Sequence, residues 1–116
     1  MKKVMIVEDD KSNLDILSLM LDMEGIECVG VSNPVKLLSR VKQQRPGLIL
    51  MDIELGIFDG RDLCQQLKSD EQNKEIPVII LSAATESKLM SAYQYGADLA
   101  IPKPFELNYL LETVSK

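Results

Sequence analysis

The chain contains no histidine, which removes His-based catalytic triads and His-ligated zinc. It has only two cysteines, Cys28 and Cys64, and they lack CxxC spacing. They read as small core hydrophobes of a protein kept in a reducing compartment. No apolar stretch approaches the roughly 18 residues needed to span a bilayer. Met1-Lys2-Lys3 leads into only four apolar residues before Glu8, too few for a signal peptide. Basic clusters are also missing: 13 Lys and Arg stand against 18 Asp and Glu, a net charge of −5. That balance argues against nucleic-acid contact by this chain alone.

What remains is an ordinary globular composition, 46% apolar and 27% charged over 116 residues. It fits one cytoplasmic domain spanning residues 1–116, with no linker, repeat or low-complexity segment. The pattern is organised around Leu48-Ile49-Leu50-Met51-Asp52, an unalternating apolar run that ends in a carboxylate. Such a run suits a strand buried on both faces of a parallel sheet. Val4 to Val7 is a second run of this kind and leads into Glu8-Asp9-Asp10.

Between the runs lie helical patterns. Leu14, Leu17, Met20 and Leu21 share one face of a helix that Ser12 or Asn13 can start and Gly25 stops. Ile26 to Val31 favours a strand, and Asn33-Pro34 opens a helix through Leu37, Leu38 and Val41. After the central strand come a loop to Gly60, a helix through Leu63, Cys64 and Leu67, and a polar loop from Ser69 to Glu75. Ile76 to Leu81 reads as the fourth strand, ending at Ser82. Thr85 to Tyr95 reads as a helix stopped at Gly96, Leu99 to Ile101 as the fifth strand, and Pro104 to Val114 as the last helix. Five strands alternating with five helices are the signature of an α/β fold with a five-stranded parallel sheet and right-handed crossovers.

The carboxyl ends of parallel strands share one edge, where open α/β sheets hold their ligands. They would bring together Glu8, Asp9, Asp52, Ser82 and Lys103. Clustered carboxylates repel one another unless a cation sits among them. Oxygen-only ligands favour a hard ion such as Mg²⁺. Lys103 and Ser82 complete a site for phosphoryl oxygens, and Asp52 itself can act as a nucleophile and form an aspartyl-phosphate. Each residue also has a plain structural role open to it. Asp9 or Asp10 can cap the first helix, Ser82 the fourth, and Lys103 can be a solvated charge.

Val7-Glu8-Asp9-Asp10, Met51-Asp52-Ile53 with Asp59-Gly60 behind it, Leu81-Ser82-Ala83, and Gly96-Ala97-Asp98 followed by Lys103-Pro104-Phe105 occur in this order. Over essentially its whole length the chain resembles the receiver domains of two-component response regulators. The resemblance implies a flavodoxin-like (βα)5 sandwich with strand order 2-1-3-4-5, an order that a chemotaxis member of the family exemplifies. It implies that Asp52 accepts phosphate from the phosphohistidine of a sensor histidine kinase or phosphotransfer protein, switching a downstream output. Asp9 would ligate Mg²⁺, with Glu8 assisting through water and the backbone carbonyl of Glu54 adding a ligand. Ser82 would bond a phosphoryl oxygen and Lys103 would pair with Asp52 or its phosphate. Asp10 is not expected to be a ligand. The Lys103–Pro104 bond would be cis. Relatives often pair through the face of the fourth helix, fifth strand and fifth helix, where Tyr93, Tyr95 and Tyr109 are candidates for a homodimer contact. No nucleic acid or membrane is implied as a direct partner.

The chain departs from the family in four places. Ala100 stands where a switching aromatic is usual, so signalling is expected to run through displacement of the Ser82 to Glu86 loop. The segment from Ser82 to Gly96 is one residue shorter than in many relatives. Gly56 stands where Pro is common, which should loosen the loop after Asp52. Pro102 removes a strand donor, as an edge strand tolerates. Two other readings compete, beside a receiver-shaped module that is never phosphorylated. A Mg²⁺-dependent aspartyl-phosphate phosphatase would carry Asp-x-Asp after the first strand, where this chain has Glu8-Asp9-Asp10. A nucleotide or flavin binder would want a Gly- or Ser/Thr-rich loop there.

Overall fold

The computed structural model describes residues 3–115, the side chains of residues 107 and 115 excepted. Five parallel strands form the central sheet: β1 (Val4–Val7), β2 (Cys28–Val31), β3 (Leu48–Asp52), β6 (Val78–Ser82) and β7 (Leu99–Pro102). Their order is β2-β1-β3-β6-β7, which is 2-1-3-4-5 when the sheet strands alone are counted. The two remaining strands, β4 (Glu54–Leu55) and β5 (Phe58–Asp59), make a small antiparallel hairpin directly after β3. The helices are α1 (Lys11–Met23), α2 (Leu37–Gln44), α3 (Gly60–Ser69), α4 (Glu86–Met90) and α5 (Leu107–Ser115).

The unalternating runs are explained by two cores, one on each face of the sheet. Met5, Val7, Ile49, Met51, Val78 and Ile80 point toward α2, α3 and α4. Val4, Ile6, Leu48, Leu50, Ile79 and Leu81 point the other way, toward Leu14, Leu17 and Leu21 of α1 and Leu110 and Val114 of α5. Successive side chains of a strand face opposite ways, so a strand covered on both sides is apolar at every position. Leu50 and Ile49 are fully buried; each such side chain contributes about 1.5–3 kcal/mol by leaving water.

The ends of the elements follow local chemistry. Asp10, at φ −82° and ψ 110°, caps α1 by accepting from the Ser12 and Asn13 N–H groups. Of the candidates Asp9, Asp10, Ser12 and Asn13, Asp10 is the cap, because it has the short acceptor at the residue before the first helical turn. Gly25 (φ +75°) stops the helix as anticipated. Asn33 caps a short 3₁₀ turn (Pro34–Lys36) that precedes α2.

The segment expected as one helix from Thr85 to Tyr95 is two: α4, capped by Thr85, then a 3₁₀ stretch over Ser91–Tyr95. The Ser91 hydroxyl donates to the Lys88 carbonyl at 2.6 Å, a local bond that competes with helical pairing. The strand expected from Ile76 begins at Val78, that from Ile26 begins at Cys28, and the last helix begins at Leu107, not Pro104.

β7 is an edge strand, as Pro102 suggested. Lys103 donates its N–H to the Ser82 carbonyl at 2.9 Å, and successive N–H groups along a strand alternate in direction. The outward positions are therefore Ala100 and Pro102. Proline has no N–H, and the Ala100 N–H is taken by the Tyr93 hydroxyl at 3.0 Å.

Candidate functional site

At the carboxyl end of the sheet, β3 delivers Asp52, the residue after β1 is Glu8, and the residue after β7 is Lys103. Lys103 Nζ donates to Asp52 Oδ2 at 3.1 Å and lies 3.6 Å from Glu8 Oε2. One ammonium thus bridges two carboxylates from neighbouring strands. Glu8 is buried, whereas Asp9 is exposed. Adjacent residues leaving a strand point to opposite sides, so this pair divides into an inner acid and a rim acid.

Burial, the largest cause, pushes the Glu8 carboxyl above its ordinary value. The Asp10 N–H and the Lys103 ammonium oppose that, while the neighbouring Asp52 adds to it. Ser82 is fully buried at the end of β6, and its hydroxyl accepts from the Ala84 N–H at 3.0 Å. It does not cap α4, a task that falls to Thr85. The Lys103–Pro104 bond is cis.

The loop after Asp52 is a tight hairpin. Gly56 (φ +67°) is the first residue of a two-residue turn, and positive φ at that position alone is the pattern of a type II′ hairpin. No proline can adopt it. Gly60 closes the hairpin: its N–H donates to the Ile53 carbonyl at 2.8 Å. A Cβ on Gly60 would lie 1.9 Å from the Asp52 carbonyl oxygen, so α3 can begin this close to Asp52 only with glycine. Because the Ile53–Gly60 pair is hydrogen-bonded, Glu54 and Asp59 form a non-hydrogen-bonded pair. The Glu54 carbonyl therefore points out of the hairpin, free to act as a ligand, while the Glu54 side chain pairs with Lys88 at 3.1 Å.

A second cluster escaped the sequence reading. Asp59 caps α3 and accepts from the Arg61 guanidinium at 2.7 Å. Arg61 also donates to the Ser91 hydroxyl at 2.8 Å and stacks on the Tyr95 ring, 5.3 Å from its centroid. The Arg61 guanidinium holds the Asp59 carboxyl below its ordinary value. The only hint in the sequence was an Arg two residues after an acid. Tyr95 is thus turned toward α3, whereas Tyr93 and Tyr109, the other two candidates for a homodimer contact, are exposed.

Comparison with known proteins decides what this rim belongs to. The profile of the response regulator receiver domain family matches residues 4–115. The chain belongs to that family. It is 33% identical over 114 residues to the polar-differentiation response regulator DivK of Brucella anthropi, covering 97% of this chain and 93% of DivK. It is 31% identical over 115 residues to the DNA-binding dual master transcriptional regulator RpaA of Synechocystis sp., covering 98% of this chain but 48% of RpaA, so it spans about half of that relative. Among solved structures it superposes on a CheY-like receiver domain protein from Methanospirillum hungatei with a TM-score of 0.88 at 26% identity, covering 99% of this chain and 91% of the other. The chemotaxis protein CheY4 of Vibrio cholerae gives 0.88 at 25% identity, covering 99% and 97%.

Receiver domains are signalling modules of two-component systems that act with histidine kinases or phosphotransfer proteins, and they generally bind Mg²⁺ at the phosphorylation site. The donors of this receiver domain fit such an ion. Among the described residues no three acidic side chains form a ready-made metal cluster. Mg²⁺ does not need one, since it keeps several waters and takes one or two carboxylates. Asp9 has neither a hydrogen bond nor an ion pair among the described residues, and its Oδ2 faces Gly56 of the hairpin, 3.6 Å from where a Cβ there would stand. Among the described residues no helix is long and apolar enough to cross a membrane.

Proposed function

We propose that Asp52 is the phosphoacceptor of this receiver domain. The reading is carried by the contact of Lys103 Nζ with Asp52 Oδ2 at 3.1 Å, at the carboxyl end of the central strand. An Asp52 carboxylate oxygen attacks the phosphorus of a phosphohistidine on a sensor histidine kinase or phosphotransfer protein. The P–N bond breaks and the imidazole leaves with its electron pair. Lys103 holds the carboxylate in place and then faces the new phosphoryl oxygens. Ser82 offers its hydroxyl proton to one of them, while its oxygen keeps lone pairs to accept from the Ala84 N–H. Asp9, Asp52 and the Glu54 carbonyl would hold Mg²⁺, with Glu8 assisting through water; the ion would supply neutralising charge for the phosphoryl oxygens.

The same reading puts this domain, residues 1–116, in the cytoplasm, with no substrate to turn over beyond its own aspartyl-phosphate. Ile16, exposed on α1, lines a cavity with Met20, Lys103, Pro104 and Phe105, which gives the phosphodonor an apolar landing next to the site. Self-association belongs on the α4–β7–α5 face. Acetyl phosphate with Mg²⁺ should add one phosphoryl mass to this chain and none to Asp52→Asn. Addition to the Asp52→Asn variant at the same rate would refute the assignment.

A further inference from the structure

On the side covered by α2 and α3 lies an apolar groove that the phosphoryl site does not use. Its deeper part, about 390 Å³, is lined by Val35 of the turn before α2, Leu38 of α2, Ile57 and Phe58 of the hairpin, and Asp62 and Leu63 of α3. Leu38 and Gln66 carry it into a second hollow that reaches Asp70. Ile57 is 97% exposed, Val35 70% and Leu38 44%. Large apolar side chains gathered in one exposed place mark an interaction surface. The charged residues lining both hollows are all acidic: Asp59, Asp62 and Asp70. Asp59 is matched by Arg61, but Asp62 has neither a hydrogen bond nor an ion pair among the described residues.

We propose that this groove docks a basic amphipathic helix of a partner protein. Its apolar stripe would lie on Val35, Leu38 and Ile57, and its Lys or Arg side chains would meet Asp62 and Asp70. Two of the walls are helical and the third is β5, a strand of only two residues, so an extended segment would find too short an edge to build a ladder, whereas a helix fits between two others by ridge and groove. The ten residues of α3 rise about 15 Å, enough to seat two or three turns. An acidic helix would be repelled by Asp62 and Asp70, and a purely apolar one would strip water from Asp62 without pairing it. The surface operates on the unphosphorylated chain, so its test does not depend on the chemistry at Asp52.

The probe is a fluorescein-labelled Leu/Lys peptide with a single apolar helical face, titrated by anisotropy in Mg²⁺-free buffer near physiological salt. A scrambled peptide of equal composition serves as control. Binding should weaken about tenfold or more, about 1.4 kcal/mol, in Ile57→Asp, Leu38→Asp and Asp62→Lys, each checked for an unchanged thermal melt. Met90→Asp, on exposed α4, should bind as the parent does. Equal binding of the scrambled peptide, loss in Met90→Asp but not Ile57→Asp, or no binding at all would overturn the proposal. So would a concentration-dependent dimer abolished by Ile57→Asp, which would make a second copy the occupant.

Discussion

The hydroxyl of Tyr93 accepts a hydrogen bond from the backbone N–H of Ala100 at 3.0 Å. With Pro102 two residues further on, this leaves the outer edge of β7 without a free donor at either position. Exposed strand edges invite pairing with other chains, and this one is closed by a side chain and an imino acid. Tyr93→Phe removes the acceptor and keeps the ring. Stability should fall by about 0.5–1.5 kcal/mol, and the Ala100 amide should exchange faster with solvent. An unchanged exchange rate at that one amide would show that the phenol is not its cap.

Gly60 and Gly25 predict opposite outcomes for the same substitution. Gly60→Ala drives a Cβ to within 1.9 Å of the Asp52 carbonyl oxygen, a backbone clash with no flexible partner. The expected loss is about 3 kcal/mol or more, with slower labelling of Asp52 by acetyl phosphate in whatever folds. Gly25→Ala meets nothing within 4 Å and has only its positive φ to resist it, about 1–2 kcal/mol. Urea midpoints measured side by side distinguish the two, and similar midpoints would contradict the close approach.

The acid limb of stability should depend on Asp59. Its hydrogen bond and ion pair with Arg61 hold its carboxyl below the ordinary 3.8, so the unfolded chain binds the proton first. The stabilisation is then present above about 3.8 and lost as pH falls through the lower, folded value. Asp59→Asn keeps an acceptor that can cap α3 but loses the charge. Its melting temperature should fall less steeply between pH 4 and pH 2 than the parent's. Parallel acid limbs would remove Asp59 from the account.

The two cysteines should differ in reactivity. Burial pushes the Cys64 thiol up to about 11, and the side chain is fully buried. Cys28 is only half-buried, though its thiol too is raised. Because the thiolate is the reactive form, iodoacetamide at pH 8 should label Cys28 first and Cys64 only on unfolding. Labelling of Cys64 in the folded chain at the rate of Cys28 would show a looser core than this one.

Much of this was legible from local patterns. The runs at Val4–Val7 and Leu48–Asp52 announced strands covered on both faces because alternation vanishes there, and Gly25 and Gly96 marked helix ends through positive φ. Strand order is set by pairing between distant segments and entered only through family resemblance. The β4–β5 hairpin has strands of two residues each, too short to show any period. Arg61 was invisible for a related reason, since its partners at Ser91 and Tyr95 are some 30 residues away in sequence. At the site, Glu8 and Asp9 read as one acidic pair, and only the geometry of a strand end separates them into a buried acid and a rim acid.

Arg61 grips the foot of the hairpin, the Ser91 hydroxyl and the Tyr95 ring with one planar group. Like a cleat that takes three ropes, it ties the segment behind Asp52 to the short helix that carries Tyr93. A sideways slip of the hairpin must either snap a rope or haul the Tyr93 turn along with it. A chain with only a methyl group at Ala100 thus has the hairpin after Asp52 and the turn that carries Tyr93 joined through one side chain.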